Sequence, residues 1–273
     1  MRTISSRDNP LFKELKHLAG SAQVRRKAGR TLLDGVHLCE AYLQTRGVPP
    51  LCVLSEGATR HPEVMPIVAR CSVAGSHCMV LPDALYQALS QVEHGVGLMF
   101  VIDTPHLMVP TALTGSAVLL DNLQDPGNLG SILRSAAAAG IESVFCSPTT
   151  VFSWSPKVLR AAMGAHFLLE IFENVDLATL IRTASVPVLA TSSHAQRQIY
   201  DADLRDPVAW LFGHEGQGVS PALLAMATSQ VTIPHLGPME SLNVAASAAV
   251  CLFEQVRQRG AEGQAASVGD PSG

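Results

Sequence analysis

The stretch AVLLDNLQDPGNLGSILRSAAAAGIESVFCS, residues 117–147, decides the fold class. A short apolar run ends at Asp121. An acidic turn rich in Pro, Gly and Asn follows, then an apolar repeat of helical period from Asn128, then a second apolar run, SVFCS. Strand, helix and strand in so short a span predict a parallel pair joined by a crossover helix. The alternation continues downstream with a helix from about Ser155, a strand HFLLEIF (166–172), a helix VDLATLIRTA (175–184) and strands VPVLATS (186–192) and VAWLFG (208–213). A short helix after Ser220, a strand QVTIP (230–234) and a long helix opened by Ser241 complete it. Residues 116–260 therefore read as an α/β domain on a mostly parallel sheet, with ligands expected at the carboxyl ends of its strands.

Upstream, TLLDG (31–35), PLCVLS (50–55), HCMVLP (77–82) and GVGLMFVID (95–103) read as strands, with helical segments between them. They define a smaller α/β domain over residues 1–103, joined by a linker, TPHLMVPTALTG (104–115). An amphipathic helix is expected from Asn9 to about Lys27, with Leu11, Phe12, Leu15, Leu18 and Ala19 inward and its basic residues outward. The tail 261–273 has no apolar pattern and is expected to be disordered.

Charge is distributed unevenly. The 273-residue chain has a net charge of −4, yet residues 1–30 hold eight Lys and Arg against two acids. A basic arm on an acidic body suggests phosphate contacts, although a solvated helix face has the same composition. No apolar run approaches a membrane span, and the opening residues lack the core of a signal peptide, so a cytoplasmic protein with no membrane partner is expected. The six cysteines are scattered with no metal-ligand spacing, so they read as reduced core thiols and no metal is expected.

Three loops have the composition of a ligand site. In DNLQDPGNLGSILRSA (121–136), Asn128 is placed as helix cap, Gly127 permits a tight turn, and Arg134 offers a planar fork of donors suited to phosphate. There is no GK[ST] and no GxGxxG, which disfavours generic nucleotide loops. A capped helix with a surface arginine would look the same. In LFGHEGQGVS (211–220), three glycines surround Glu215 at the mouth of the sheet. In IPHLGPMESLNVAASAAV (233–250), Glu240, Ser241 and Asn243 cluster at a helix start. His214 and His235 lack metal-ligand spacing and read as loop packing.

The patterns N-x-G-x-x-x-R (Asn128, Gly130, Arg134), F-G-x-E-x-x-G (Phe212, Gly213, Glu215, Gly218) and I-P-x-x-G-x-x-x-S-L-N-V (Ile233 to Val244) resemble, in order and spacing, the three motifs of the SpoU/TrmH branch of SPOUT RNA methyltransferases. Ser135 and His235 depart from the threonine and methionine frequent at those positions. The stretches ISSRDNPLFKELKHL and LLDGVHLCEAYL resemble, more weakly, the RNA-binding substrate domain that often precedes the catalytic one.

The resemblance implies a C-terminal trefoil knot, a homodimer, and S-adenosyl-L-methionine as cofactor with Gly213, Ile233 and Leu242 lining its pocket. It implies 2′-O-methylation of a ribose in RNA, ribosomal RNA before transfer RNA, and does not separate this from a resistance methyltransferase or a non-catalytic RNA-binding relative. Arg134 is assigned a clamp on the target phosphate and hydroxyl rather than the role of base, because arginine keeps its proton. Asn128, Glu215, Ser241 and Asn243 are assigned to fix the arginine and the ribose.

Overall fold

The computed structural model describes residues 1–92 and 95–267, with side chains to residue 260. The chain forms two compact units. The first comprises residues 1–106 and 152–168, the second residues 107–151 and 169–273.

The first unit carries a mixed five-stranded sheet of β1 (Arg2–Thr3), β2 (Arg30–Asp34), β3 (Leu51–Ser55), β4 (His77–Leu81) and β5 (Leu98–Asp103), in the order β1-β4-β3-β5-β2. The expected single helix is two: α1 (Pro10–Gly20) and α2 (Ala22–Ala28). Asn9 caps α1, its side chain accepting from the N–H groups of Leu11 and Phe12, with Pro10 preset for the first turn. Ser21 breaks the run because it adopts an extended backbone and accepts from the Val24 N–H, restarting the helix at a new cap. Phe12, Leu15, Leu18 and Ala19 are buried as expected. Arg25 is not outward. It is 5% exposed, and its guanidinium donates to the carbonyls of Leu18 and Ala19, satisfying groups that the end of α1 leaves open. Helices α3 (Val36–Thr45), α4 (Val64–Val73) and α5 (Asp83–Gln87) complete the upstream part.

The downstream boundary departs from the expected division at one segment. Residues 152–168, which contain α7 (Pro156–Ala162), pack within the first unit instead of the sheet that precedes and follows them in sequence. Phe152, Trp154, Leu159 and Phe167 share a core with Leu33, Phe100 and Ile102. The Thr31 hydroxyl donates to the Trp154 carbonyl at 2.7 Å. An apolar run without strong period does not specify which core receives it.

The second unit holds a six-stranded sheet, parallel throughout: β6 (Ala117–Leu120), β7 (Ser143–Cys146), β8 (Glu170–Phe172), β9 (Val188–Thr191), β10 (Ala209–Phe212) and β11 (Ser229–Val231). Its order is β11-β9-β10-β6-β7-β8. Strands β6 and β10 are central and buried along their whole length, as near-continuous apolar strands of a covered parallel sheet must be. The expected strand HFLLEIF is only β8, because residues 165–167 form a turn of 3-10 helix. Helices α6 (Pro126–Ala138), α8 (Leu177–Arg182), α9 (Pro221–Met226) and α10 (Val244–Ser267) connect or follow the strands. Helix α6 buries Leu129, Ile132, Leu133 and Ala136, and each large aliphatic side chain contributes about 1.5–3 kcal/mol on the usual transfer scale. Of the tail 261–273, expected to be disordered, residues 261–267 instead continue α10 to Ser267, and residues 268–273 lie outside the described residues. Among the described residues no helix is long and apolar enough to cross a membrane.

Arg25→Gln removes a buried guanidinium that bonds two helix-terminal carbonyls. The expected outcome is a loss of about 1–3 kcal/mol of stability, read as a lower unfolding midpoint in urea.

Candidate active site

The turn after β6 begins with Asn122 in the left-handed region at φ 57°, a conformation asparagine tolerates better than most residues. Its N–H donates to the Ser147 hydroxyl after β7 at 2.9 Å, tying two adjacent strand ends. Helix α6 then starts at Pro126, two residues before Asn128. The cap is Asp125, whose carboxylate accepts from the Asn128 N–H at 2.8 Å, so the expected capping role of Asn128 is corrected. Asp before Pro was the available signal, since Pro is favoured at the first helical position and Asp at the cap. Relieved of capping, the Asn128 amide is available to the other two loops.

Glu215 is the meeting point. Its Oε1 accepts from the Asp125 N–H at 2.8 Å and the Asn128 side-chain amide at 3.2 Å, while Oε2 accepts from the Gln124 N–H at 3.2 Å. The Asn128 Oδ1 in turn accepts from the Asn243 side-chain amide at 2.9 Å. The Asn243 Oδ1 accepts from the N–H groups of Ala245 and Ala246 at 2.9 and 3.2 Å. Asn243, not Ser241, therefore caps α10. The three loops are joined by one directional chain of hydrogen bonds running from the start of α10 to the Glu215 carboxylate. Burial pushes the Glu215 carboxyl upward, but the N–H groups of Asp125, its own backbone, Asn128 and Gln124 outweigh that and hold it below the ordinary value.

The second loop is braced from within. His214 and Gly218 exchange backbone hydrogen bonds, and the His214 Nδ1 accepts from the N–H groups of Gly216 and Gln217. Gly218 sits at φ 69°, where a side chain would be strained. Gly213 is confined by its own loop. A Cβ there would overlap the backbone of Gly218 and Val219, so the glycine is required by the loop's own closure before any ligand is considered. Asp121, at the end of β6, anchors the far side by accepting from the Ser220 N–H at 2.9 Å.

Between these loops lies a cavity of about 290 Å³ lined by the ends of β9, β10 and β11 and the start of α10. Gly213, Ile233 and Leu242, the three residues expected to contact a cofactor, all line it, as do Glu215 and Ser241. Asn128, Arg134 and Asn243 do not line it. Arg134 is exposed on α6, and no hydrogen bond or ion pair is seen for it among the described residues, so the expected grip on the arginine is not present here. His214 and His235, expected as loop packing, line the cavity together with His194 on a loop the sequence reading did not single out. Among the described residues no cluster of His, Cys, Asp or Glu has the geometry of a metal site.

The SpoU rRNA Methylase family profile matches residues 115–253. An uncharacterized tRNA/rRNA methyltransferase of Synechocystis is 33% identical over 262 residues, covering 94% of each chain. The 23S rRNA (guanosine(2553)-2'-O)-methyltransferase RlmP of Bacillus subtilis is 29% identical, covering 93% of this chain and 98% of its own. A crystal structure of an RNA 2'-O ribose methyltransferase superimposes with TM-score 0.76 at 33% identity, covering 94% of this chain and 99% of the other. The chain belongs to the SpoU rRNA methylase family.

Because the Glu215 carboxyl is held below its ordinary value, it contributes stability that is present above the unfolded value of about 4.3 and is lost as pH falls through the folded value. Glu215→Gln should therefore flatten the acid limb of a melting-temperature profile between pH 3 and 6. An acid limb identical to that of the parent protein would remove Glu215 from this role.

Proposed function

We propose that the protein transfers a methyl group from S-adenosylmethionine to a ribose 2′-hydroxyl of ribosomal RNA. The observation that carries the reading is the hydrogen-bond chain Glu215–Asn128–Asn243, which binds the three motif loops into one site beside the cavity. The cavity residues fit the cofactor. Ile233, Leu242 and Val219 offer apolar walls for a flat ring, and the absence of side chains at Gly213 and Gly218 lets main chain approach a ligand. S-adenosylmethionine supplies an electrophilic methyl group on a sulfonium sulfur.

A ribose hydroxyl is a weak nucleophile, so the protein's work is orientation and charge stabilisation. Arg134 holds the target phosphate and donates to the hydroxyl oxygen as negative charge develops on it. Asn128, Glu215, Ser241 and Asn243 position the ribose and the arginine once RNA is bound, Glu215 by fixing the turn that launches α6. With the cofactor bound, the new carbon–oxygen bond would form as the methyl carbon–sulfur bond breaks, leaving the thioether S-adenosylhomocysteine, and the hydroxyl proton would leave to solvent or to a nearby acceptor.

Further parts of the reading concern architecture and partners. The C-terminal segment is proposed to thread as a trefoil knot, supported by the placement of β11 beyond β9 at the sheet edge and of the 231–247 stretch across the same cavity as the 191–194 and 213–219 loops. A homodimer is proposed through α10, which leaves Ala246, Phe253 and Val256 exposed. The first unit is proposed to bind RNA through α1 and α2. Lys13 and Arg30 are paired with Asp8 and Glu14, which leaves Arg2, Arg7, Lys16, Arg26 and Lys27 as the exposed cations of that region. The guanidinium of Arg26 also lies over the Phe152 ring at 4.7 Å.

Mapping 2′-O-methyl sites in total RNA from cells with and without the protein names the nucleotide, and an unchanged map overturns the reading. Arg134→Lys keeps the charge but loses the planar fork, so it should retain cofactor binding and most RNA affinity while single-turnover transfer falls by about 100-fold or more. Replacing Lys16 and Lys27 by Gln should lower RNA affinity and reduce the slope of log affinity against log salt by about 1–2, measured by filter binding. An unchanged slope would make those lysines a solvated face.

A further inference from the structure

The cavity's inventory of charge is small. Its titratable lining side chains are His194, His214, His235 and Glu215, and among the described residues no Lys, Arg or Asp lines it. A cofactor ending in an amino acid brings a carboxylate into this space, and an anion in a glycine-rich loop is ordinarily met by backbone N–H groups. Here four of those donors are already used. The His214 N–H bonds to the Gly218 carbonyl, the Gly218 N–H to the His214 carbonyl, and the Gly216 and Gln217 N–H groups to the His214 ring. At the start of α10, the Ala245 and Ala246 N–H groups bond to the Asn243 side chain and the Ser247 N–H to the Asn243 carbonyl.

Of the three imidazoles, His214 is held by its turn. The rings of His194 and His235 are exposed, and no hydrogen bond is seen to either. On the same loops, Arg197 donates to the Asp201 carbonyl, and Arg197, Asp201 and Glu240 stand outside the lining. Glu215, the only lining acid among the described residues, has its oxygens occupied by the turn before α6.

We propose that His194 and His235 bind the carboxylate of the cofactor's amino-acid end, an inference that rests on reading this cavity as the cofactor site. Neutral imidazole offers one N–H donor, and imidazolium adds charge, so affinity for a carboxylate-bearing ligand rises as pH falls through the range where histidine titrates. The consequence is that affinity for cofactor and product depends on pH through the protein, while affinity for their nucleoside portion does not.

The test is calorimetric titration of the full chain with two thioethers, neither carrying a sulfonium charge, between pH 5.5 and 8.5. S-adenosylhomocysteine carries the amino-acid end, and 5′-methylthioadenosine lacks it. The parent protein should bind S-adenosylhomocysteine about fivefold to tenfold more tightly at the acid end, with 5′-methylthioadenosine flat. In the double variant His194→Gln, His235→Gln the gain should vanish and 5′-methylthioadenosine affinity should persist, which also reports an intact pocket. Titration of the ligand's own ammonium is common to both proteins and cancels in the comparison. A full pH gain retained in the variant, or an equal loss for both ligands, overturns the assignment. If the parent binds neither ligand, the cofactor reading of the cavity fails first; if it binds both with no discrimination by the variant, only the histidine assignment fails.

Discussion

A carboxylate that accepts N–H donors from a turn distant in sequence is the constraint on which this site depends. Glu215 takes three of them, from Gln124, Asp125 and Asn128, and through Asn128 it reaches Asn243. Each member is oriented by the next: the Asn243 amide can donate to Asn128 because its own oxygen is committed to the first turn of α10. A hydrogen-bond chain with one acceptor-only end and one donor-only end has a single satisfying arrangement of its amides. That fixes two asparagine side chains without a metal or a disulfide, and it makes the starts of α6 and α10 geometrically dependent on one residue of the loop after β10.

The loop carrying Glu215 is stiff for the same reason that it is a poor anion trap. Four of its N–H groups are consumed by the exchange between His214 and Gly218 and by the His214 ring. Glycine at 213 permits the chain to close on itself, because any Cβ there meets the backbone of Gly218 and Val219. Substitution at that position would change the loop before it changed a ligand's space. The cavity wall is thus built from pre-formed backbone, and the cost of ordering it is met during folding rather than on binding.

Positive charge in the first unit has two distinct uses. Arg25 is structural, buried against the end of α1, whereas Lys16 and Lys27 stand in solvent. Arg26 combines the two, exposed yet resting on an aromatic ring. A count of basic residues treats them alike. Their separation matters for any nucleic-acid surface, since only a solvated cation can release counterions from a phosphate.

Local chemistry made much of this legible from sequence. The alternation of short apolar runs with helical periods announced a parallel α/β sheet, and glycine, asparagine and glutamate at fixed spacings marked the three loops that the structure brings together. Period-2 and period-3.6 patterns report which face is buried, and turn residues report local backbone, so both are written in neighbouring positions. What the sequence could not carry was pairing at a distance. That residues 152–168 join the core of the first unit is decided by apolar packing, and that His194 and His235 face one cavity by where the loops after β9 and β11 meet, whereas that Arg25 turns inward and that Asn243 rather than Ser241 caps α10 are decided by which groups are left unsatisfied once the elements have formed. A buried donor or acceptor without a partner is costly, and the partner that relieves it is chosen in three dimensions, from a residue 123 positions away in the case of Thr31 and Trp154.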